Sequence, residues 1–368
     1  MILPGKTIGI IGGGQLGRMM CLAAKAMGYD VAVLDPTANC PCGQVADIEI
    51  TAGYDDMAAI KKLAEISDVI TYEFENIDYD ALFYLENNAY LPQGSDVLKI
   101  TQHRYMEKKT ISDMGIPVTE FFLLNSIKAL EKHFFYPSVL KTTTGGYDGK
   151  GQLIIKSRED FEAAKKLAEK HECIIERWVP FDKEISVLIA RSTSGETAVF
   201  PIPENIHVDN ILHKSIVPAS ISDSVVQKAI SYALQIAENL NTIGILAIEM
   251  FVAGDDVYIN ELAPRPHNSG HYTIDACITS QFEQHIRAIC GLPLGDTSLH
   301  TPVVMVNILG EHLFSEVLDP YLPLLPRGKL HLYGKTETKE KRKMGHINML
   351  GDIGDTLKLI EQADIWAG

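Results

Sequence analysis

Apolar residues occur both in short continuous runs and at helical spacing, and the two patterns predict alternating strands and helices. Residues 7–11 and 31–34 are short apolar runs typical of buried strands. Between them, apolar positions at helical spacing predict a helix over residues 16–27, closed by Gly28. Residues 69–74 predict a later strand of the same sheet. The N-terminal region is therefore predicted to contain a β-loop-α-β unit.

The rest of the chain predicts two strand pairs and two longer helices. Clusters of turn residues at 92–95 and 292–295 indicate boundaries on either side of this region. The predicted elements are helices over residues 101–114 and 224–240 and strand pairs 137–141 with 152–156 and 245–252 with 257–261. A glycine-rich loop joins the first pair, and a turn around Gly254 and Asp255 joins the second. The tail after residue 295 predicts strands and short loops.

Composition and charge narrow the functional class. The chain has 368 residues, which predicts two or three domains at about 150 residues each. Its formal net charge of −15 disfavours nonspecific nucleic-acid binding, so groups that bind an anionic ligand must be concentrated locally. The six cysteines are scattered without a disulfide framework, and no segment approaches the roughly 20 apolar residues of a membrane span. We therefore expect a soluble, cytoplasmic protein that binds neither nucleic acid nor membranes.

Gly12, Gly14 and Gly17 form a G-x-G-x-x-G motif between the first strand and the first helix. Backbone N–H groups at such a helix N-terminus can hold a phosphate, and Asp35 stands at about the spacing of a ribose-binding acid. The same motif occurs where a tight strand-to-helix turn needs glycine only for packing. An NAD site, a site for another phosphate ligand and a purely structural turn all remain open for this motif.

A second glycine-rich segment, residues 141–151, joins the strands of the first predicted hairpin. Its four glycines and three threonines allow it to fold over phosphates and to donate backbone N–H groups. Lys141 and Lys150 flank the loop and can contact phosphates as point charges. The spacing is not that of a P-loop. A flexible hairpin without a ligand is the alternative, but the flanking lysines favour a nucleotide site.

Two pairs of glutamates lie within or at the ends of predicted strands. Glu176 ends a short apolar strand and Glu184 begins the next one, an order that suits the adenine and ribose of a nucleotide, although each residue alone is typical of a solvent-facing strand position. Glu249 interrupts an apolar strand, and Glu261 ends its hairpin partner beside Asn260. Buried carboxylates that face each other need a cation or a proton, and Mg²⁺ accepts protein oxygens together with phosphates. The second pair predicts a magnesium site; an exposed hairpin face is the alternative.

A polar loop follows Glu261. His267 and His271 have the i, i+4 spacing of zinc ligands on a helix, but Pro264 and Pro266 argue against a helix, so we expect substrate positioning instead. The most basic segment lies near the end of the chain and comprises Lys335, Lys339, Lys341, Arg342 and Lys343. Such a run is typical either of a solvated face or, in so acidic a chain, of an anion-binding patch.

The order of these motifs resembles the 5-(carboxyamino)imidazole ribonucleotide synthases, a family of ATP-grasp carboxylases of purine biosynthesis. The resemblance covers roughly residues 6–350, and its most specific segments are GGYDGKGQ at 145–152 and HNSGH at 267–271. GQLGR at 14–18 and RKMGH at 342–346 also match. It implies a fold of the α/β and α+β class, with a Rossmann-like N-terminal domain, an ATP-grasp domain and a small C-terminal β-rich domain. The implied bounds are residues 1–98, 99–297 with a lid subdomain at about 119–181, and 298–368.

The resemblance also implies a reaction. Bicarbonate attacks the γ-phosphate of ATP to give carboxyphosphate, which delivers CO₂ to the exocyclic amine of 5-aminoimidazole ribonucleotide. ADP and phosphate leave, one or two Mg²⁺ ions assist, and the expected assembly is a homodimer. The alternatives are another ATP-grasp ligase (a formate-dependent glycinamide ribonucleotide transformylase or a biotin carboxylase), an NAD-dependent oxidoreductase, and a nucleotide-binding regulator without chemistry.

Site residues follow from the same resemblance. Those implied to hold ATP are Arg104, Lys141, Gly146, Tyr147, Asp148, Gly149, Lys150, Gly151, Gln152, Glu176, Arg177, Trp178, Val179, Glu184, His207, Asn260 and Glu261. Those implied to ligate Mg²⁺ are Glu249 and Glu261. Those implied to contact the ribonucleotide are Gly14, Gln15, Leu16, Glu75, Arg265, Asn268, Ser269, Lys335 and Arg342. The implied catalytic groups are Lys141, Tyr147, Asp148, Arg265, His267, Asn268, Lys335 and Arg342.

Overall fold

In the computed structural model, which describes residues 1–146, 151–313 and 322–363, the N-terminal strands form a parallel sheet. Its strands are β1 (Thr7–Ile11), β2 (Asp30–Asp35), β3 (Ile48–Thr51) and β4 (Val69–Tyr72), and its helices are α1 (Gln15–Ala26), α2 (Met57–Ile66) and α3 (Tyr79–Asn88). The order β3-β2-β1-β4 is that of one half of a doubly wound sheet. The predicted β-loop-α-β unit is confirmed, because the apolar runs are buried strands and α1 carries its apolar stripe toward the core.

A small antiparallel sheet with the order β5-β8-β6-β7 follows in the chain. Two helices precede it, α4 (Asp96–Thr101) and α5 (Arg104–Asp113). The sheet consists of β5 (Phe121–Leu124), β6 (Ser138–Thr142), β7 (Gln152–Ile155) and β8 (Cys173–Arg177), with α6 (Ile127–His133) and α7 (Phe161–Ala168) packed on it. The predicted first hairpin is confirmed, since Lys141 on β6 pairs with Gln152 on β7.

The largest sheet has the order β14-β13-β9-β11-β12-β15-β17-β16, with β10 paired to β9. Its strands are β9 (Lys183–Arg191), β10 (Thr197–Val199), β11 (Glu204–Val208), β12 (Ile211–Val217), β13 (Gly244–Ala253), β14 (Asp256–Ala263), β15 (Val303–Leu309), β16 (Gly328–Leu332) and β17 (Lys343–Leu350). Its helices are α8 (Asp223–Asn239), α9 (Thr273–Ala276), α10 (Gln281–Cys290) and α11 (Ile353–Ala363). The predicted helix at 224–240 and the second hairpin are confirmed.

The helix predicted over residues 101–114 is wrong in one respect, because the structure has two helices, α4 and α5, with a break between them. His103 has extended backbone angles at the break, and its side chain caps α5 by accepting from Met106 N–H. Gln102 keeps helical backbone angles at the end of α4, and its side-chain nitrogen donates to Glu75 O, distant in sequence, at 2.6 Å. Local periodicity carries no information on such contacts.

The N-terminal sheet is joined to the largest sheet by the packing of α1 on α10. Met20 of α1 and Phe282 and Ile286 of α10 belong to one buried cluster. In the part of the chain that the structure describes, no helix is both long and apolar enough to cross a membrane. The joined sheets leave a cleft between them, and the small antiparallel sheet borders the same cleft.

Candidate active site

One cleft of about 570 Å³ collects residues from all three sheets. Glu75 follows the N-terminal strand β4, Lys141 comes from β6 of the small sheet, and Glu249 comes from β13 of the largest sheet. The volume is in the range of sites that bind small molecules. The cleft therefore brings together segments that lie far apart in sequence.

The cross-strand register of β13 and β14 places Glu249 directly opposite Glu261. The pairing then skips from Glu261 to Ile259, so a bulge makes Asn260 an extra residue opposite the same position. Asn260 Nδ2 donates to Glu249 Oε2 at 3.5 Å. The prediction that a hairpin near Asp255 brings the two carboxylates together is confirmed.

These two carboxylates share one electrostatic environment. Burial raises the pKa of Glu249 to about 7, and the neighbouring Glu261 adds to the rise. Burial opposes ionisation of Glu261 too, but Arg104, at 3.0 Å, and Lys141 outweigh it and hold the pKa of Glu261 below its ordinary value. Glu249 is thus partly protonated and Glu261 is ionised. Beside them, the amide oxygen Oδ1 of Asn260 is buried and has no hydrogen-bond partner among the described residues. These oxygen atoms together suit a divalent cation.

A cluster of basic groups lies around Glu176. Lys141 Nζ lies 3.1 Å from Glu176 Oε2, and Lys108 Nζ lies 3.4 Å from the same oxygen. Burial opposes ionisation of Glu176, but the two lysines outweigh it and keep its pKa below the ordinary value. Arg104 donates to the carbonyl of Gly146 at 3.0 Å as well as to Glu261. Lysine and arginine side chains therefore lie close to the carboxylates of the cleft. This agrees with the expectation, drawn from the acidic net charge, that anion-binding groups are concentrated locally.

Other polar groups line the cleft. Arg265 pairs with Glu75 at 2.7 Å, and His207 pairs with Glu184 at 2.9 Å. Burial disfavours the charged form of His207, but Glu184 outweighs it and raises the pKa of the imidazole. The amide oxygen and nitrogen of Asn268 are buried with no hydrogen-bond partner among the residues that the structure describes. An amide of this kind, on a cleft wall, is suited to a polar ligand.

His267 lies on the same wall and is held on both of its sides. Its Nε2 lies 3.4 Å from Glu249 Oε1, and its Nδ1 lies 2.9 Å from Ser269 Oγ. Burial, assisted by Arg265, lowers the pKa of His267 well below its ordinary value. The imidazole is therefore neutral at neutral pH.

The first glycine motif is occupied by a carboxylate of the chain itself. Glu73 accepts from the N–H of Gly14 at 2.5 Å and from the N–H of Gly17 at 2.6 Å. Asp35 is buried and accepts from Gly13 N–H at 2.7 Å. The dinucleotide hypothesis is wrong on this geometry, because the donors that would bind pyrophosphate and the acid that would bind ribose already have partners. Gln15, at the start of α1, lines the cleft.

The structure brings most of the predicted site residues to the cleft, but not all. Those on its wall are Gln15, Leu16, Glu75, Arg104, Lys141, Gly146, Gln152, Trp178, Glu184, His207, Glu249, Asn260, Glu261, Arg265, His267 and Asn268. Described residues away from the wall are Gly14, Gly151, Glu176, Arg177, Val179, Ser269, Lys335 and Arg342. Tyr147, Asp148, Gly149 and Lys150 lie outside the described residues.

Local partners explain some of the side chains that lie away from the wall. Arg177 forms an ion pair with Glu120, and its Nε lies 2.6 Å from Glu120 Oε2. Lys335 donates to the carbonyl of Lys343 at 2.6 Å, and Arg342 donates to the carbonyl of Glu337 at 2.8 Å. Their roles at the site stay predictions.

The sequence patterns did not indicate several residues that line the cleft. The apolar ones include Val139, Ile154, Phe181, Leu212 and Phe251, and the polar ones include Glu73, Gln102, Glu107 and Asn210. Strand alternation could have found Val139 and Ile154, because they stand two residues from Lys141 and Gln152 and so share their face. No local pattern marks Glu73 or Glu107, whose positions depend on long-range packing.

A small antiparallel sheet and a large sheet that enclose a cleft with basic and paired acidic groups define an ATP-grasp protein. An ATP-grasp domain model matches residues 109–282, a ribonucleotide synthetase preATP-grasp domain model matches residues 5–102, and a phosphoribosylaminoimidazole carboxylase C-terminal domain model matches residues 303–358. The chain belongs to the N5-carboxyaminoimidazole ribonucleotide synthase family.

Relatives over nearly the whole length support this assignment. The N5-carboxyaminoimidazole ribonucleotide synthase of Bacillus subtilis (strain 168) is 56% identical over 354 residues, which cover 95% of this chain and 93% of that protein. A solved N5-carboxyaminoimidazole ribonucleotide synthetase in an ADP complex is 62% identical, with a TM-score of 0.97 and coverage of 100% of this chain and 98% of its own. The Aspergillus clavatus enzyme, solved with ADP and 5-aminoimidazole ribonucleotide, is 29% identical with a TM-score of 0.88 over 98% of both chains.

Proposed function

We propose that the protein catalyses the ATP- and bicarbonate-dependent carboxylation of the exocyclic amine of 5-aminoimidazole ribonucleotide in purine biosynthesis. The products are N5-carboxyaminoimidazole ribonucleotide, ADP and phosphate. The observation that carries the proposal is the facing pair Glu249 and Glu261, with Arg104 and Lys141 beside it, in a member of this family. Phosphoryl transfer needs groups that position phosphates and neutralise their charge more than it needs covalent help from the protein.

ATP is assigned to the cleft between the small sheet and the largest sheet. Lys141 and Arg104 would contact the phosphates, and the backbone of residues 145–152 would donate N–H groups to them. The apolar wall residues Phe181 and Phe251, whose rings stack at 4.6 Å, provide a surface for the adenine beside Trp178.

Glu249 and Glu261 are the proposed ligands of Mg²⁺, with one or two ions bound in the active complex. The metal, when present, would neutralise charge on the ATP phosphates. The two buried carboxylates fit this role because the nearby cations offset the charge of Glu261 but do not stop Glu249 from retaining a proton, as the raised pKa of Glu249 indicates.

The ribonucleotide and the carboxyl donor are assigned to the neighbouring end of the cleft. Arg265 and Asn268 would contact the anionic reactants, and Gln15 and Glu75 would contact the ribonucleotide, since all four line the wall. Lys335 and Arg342 are retained as proposed phosphate contacts on the strength of the family resemblance. The chemistry proceeds through carboxyphosphate, which hydrolyses readily, so the small sheet is proposed to act as a lid that excludes water.

The active form is proposed to be a cytoplasmic homodimer. The family resemblance supports the dimer, and the six buried thiols suit a reducing compartment. Light scattering on the purified protein measures the assembly directly.

Release of ADP tests the proposed reaction. With ATP and bicarbonate, ADP release is expected to increase strongly on addition of 5-aminoimidazole ribonucleotide, and N5-carboxyaminoimidazole ribonucleotide is expected to form in equal amount. Formate in place of bicarbonate is expected to support no turnover. If formate supports turnover and bicarbonate does not, the assignment to this carboxylation is wrong.

A further inference from the structure

A chain of buried hydrogen bonds connects the largest sheet to the imidazole of His267. Ser269 Oγ lies 2.9 Å from His267 Nδ1, and Ser186 Oγ on β9 lies 2.7 Å from Ser269 Oγ. Asn205 on β11 donates from Nδ2 to Ser186 Oγ at 3.0 Å, and Ser215 on β12 donates to Asn205 Oδ1 at 2.8 Å. The four residues behind the histidine are all buried. Three neighbouring strands thus contribute to one line of polar groups.

The amide of Asn205 gives this line a direction. Its Nδ2 is a donor only, so Ser186 Oγ accepts there and turns its own hydrogen toward Ser269 Oγ. Ser269 Oγ then turns its hydrogen toward His267 Nδ1. The backbone N–H of Ser269 also donates to Nδ1, at 3.3 Å. Because Nδ1 faces two donors it acts as an acceptor, and the hydrogen of the neutral ring is on Nε2.

The remaining nitrogen of His267 faces the cleft. Nε2 lies 3.4 Å from Glu249 Oε1, and His267 is part of the cleft wall. The backbone of His267 is held by Gln281, which accepts from its N–H at 2.9 Å and donates to its carbonyl at 2.8 Å. Both the position of the ring and the location of its hydrogen are therefore set by residues behind the wall.

We propose that Ser186, Asn205, Ser215 and Ser269 are positioning residues that hold His267 as a hydrogen-bond donor, with its hydrogen on Nε2. The role in turnover rests on the proposed function, in which an Nε2–H group is complementary to an anionic carboxyl or phosphate oxygen of the reactants. A ring held in this form has no lone pair on Nε2 to take the proton of the ribonucleotide amine. His267 therefore acts as an electrostatic donor and not as the general base.

Nitrogen-15 NMR of the histidine side chains tests the proposal on the full-length protein without ligands. The protonated and the bare ring nitrogens of a neutral histidine have well separated shifts, and the spectrum is taken well above the ordinary histidine pKa of about 6.5. The resonances lost in His267→Gln identify the residue among the 12 histidines. We expect the Nε2–H form of His267. A predominant Nδ1–H form would overturn the proposal.

The substitution Asn205→Asp reverses the direction of the line with little change in shape. The new carboxylate only accepts, so Ser186 donates to it and Ser269 donates to Ser186, which removes the Ser269 hydroxyl hydrogen from His267 Nδ1. We expect the ratio of Nδ1–H to Nε2–H forms to rise by about tenfold, which is the effect of one redirected hydrogen bond. The turnover number is expected to fall while the KM for ATP is unchanged. An unaltered tautomer ratio in the folded variant would overturn the proposal.

Asn307→Asp is the matched control. Asn307 is also buried, lies on β15 of the same sheet, and donates from Nδ2 to the carbonyl of Leu212 at 2.8 Å, a bond that is not part of the line behind His267. It is expected to lose stability as Asn205→Asp does and to keep the Nε2–H form. If Asn205→Asp does not fold, Ser269→Ala removes the hydroxyl that donates to His267 Nδ1, and an unchanged ratio there contradicts the proposal equally.

The two proposals can fail independently. The NMR measurement uses no substrate, so a lack of bicarbonate-dependent ADP release would remove the proposed function and leave the tautomer result standing. Conversely, an active enzyme with the Nδ1–H form of His267 would remove the positioning role alone.

Discussion

At the scale of single residues, the carboxylate pair is the feature that sequence patterns predicted best. Glu249 and Glu261 were predictable because strand alternation and a recognisable turn fix which side chains meet across a hairpin. The bulge at Asn260 was not predictable, since one extra residue changes no apolar period. It is this bulge that adds an amide to the two carboxylates.

The substitution Glu261→Gln is expected to reduce ADP release by at least about 100-fold, because a neutral amide neither binds a divalent cation as a carboxylate does nor balances Arg104. The unfolding midpoint is expected to change little, since glutamine has nearly the same shape. Glu283→Gln on α10, which loses an ion pair with Arg287 away from the cleft, is the control. A Glu261→Gln enzyme with the wild-type rate would exclude this residue from the proposed metal site.

Glu107 predicts a measurable pH dependence of stability. Burial, with the nearby charge of Glu261, raises the pKa of Glu107 to about 8 from an ordinary value of 4.5, although Leu262 N–H, Arg104 and Lys108 oppose the rise. The folded state therefore keeps a proton that the unfolded state releases above about pH 4.5. The contribution of this proton to the free energy of unfolding is complete below about pH 4.5 and is lost as the pH rises to about 8.

In Glu107→Gln the carbonyl can still accept from Leu262 N–H, but the titration is removed. Urea unfolding at about pH 5 and about pH 9 is expected to show that the free energy of unfolding of the wild type falls by roughly 3 kcal/mol more than that of the variant. Glu238→Gln, on the exposed side of α8, should retain the wild-type dependence. Equal pH dependence in Glu107→Gln and the wild type would contradict the raised pKa.

At the scale of elements, periodicity predicted the approximate bounds of most strands and helices. It did not predict which group the first glycine motif binds. The motif predicted a strand, a turn and a helix, and these are present. The backbone N–H groups of the motif bind Glu73, which follows β4. Nothing in the sequence of the motif itself indicates this partner. A single sequence therefore left a dinucleotide site open where the folded chain supplies its own carboxylate.

Gly17 is required by close approach in this motif. A Cβ atom there would lie 2.5 Å from the carbonyl oxygen of Gly12, which is backbone and cannot rotate away. Gly17→Ala is expected to lower the free energy of unfolding by roughly 1–3 kcal/mol, through displacement of α1 from β1. The measurement is the urea midpoint at unchanged m-value.

Gly53→Ala is the control for Gly17→Ala, because its Cβ would meet only the movable carboxylate of Asp55. Gly53→Ala is expected to change the free energy of unfolding much less. If both variants lose the same stability, the loss comes from replacing a glycine and not from contact with Gly12.

At the scale of the whole molecule, the acidic chain concentrates basic groups where three sheets meet. The net charge of −15 predicted that any anion site must be local, and Arg104, Lys141, Arg265 and Lys343 do line the cleft. Local sequence patterns could not predict that these four residues converge, because they come from segments separated by up to 239 positions in the numbering. Only the family resemblance implied that Arg104, Lys141 and Arg265 share a site. Their convergence depends on long-range packing, such as that of α1 on α10.

The domain limits inferred from the resemblance, at residues 98 and 297, stay predictions. The strands after residue 297 continue the largest sheet, since residues 303–306 of β15 pair with residues 214–217 of β12. Every residue of β15 is buried, and five of its seven side chains belong to clusters shared with β12 and β17. An exposed β12 edge and an uncovered apolar face are conditions that favour aggregation.

A chain that ends at residue 297 is therefore expected to aggregate or to unfold without a cooperative transition. A chain that ends at residue 351 is the matched control, because it lacks α11 but retains β15, β16 and β17, and we expect it to unfold cooperatively at a lower temperature. Circular dichroism during heating, together with size-exclusion chromatography, measures both. A monomeric, cooperatively unfolding chain of residues 1–297 would show instead that the boundary at 297 separates independently stable units and that the sheet tolerates the loss of its last three strands.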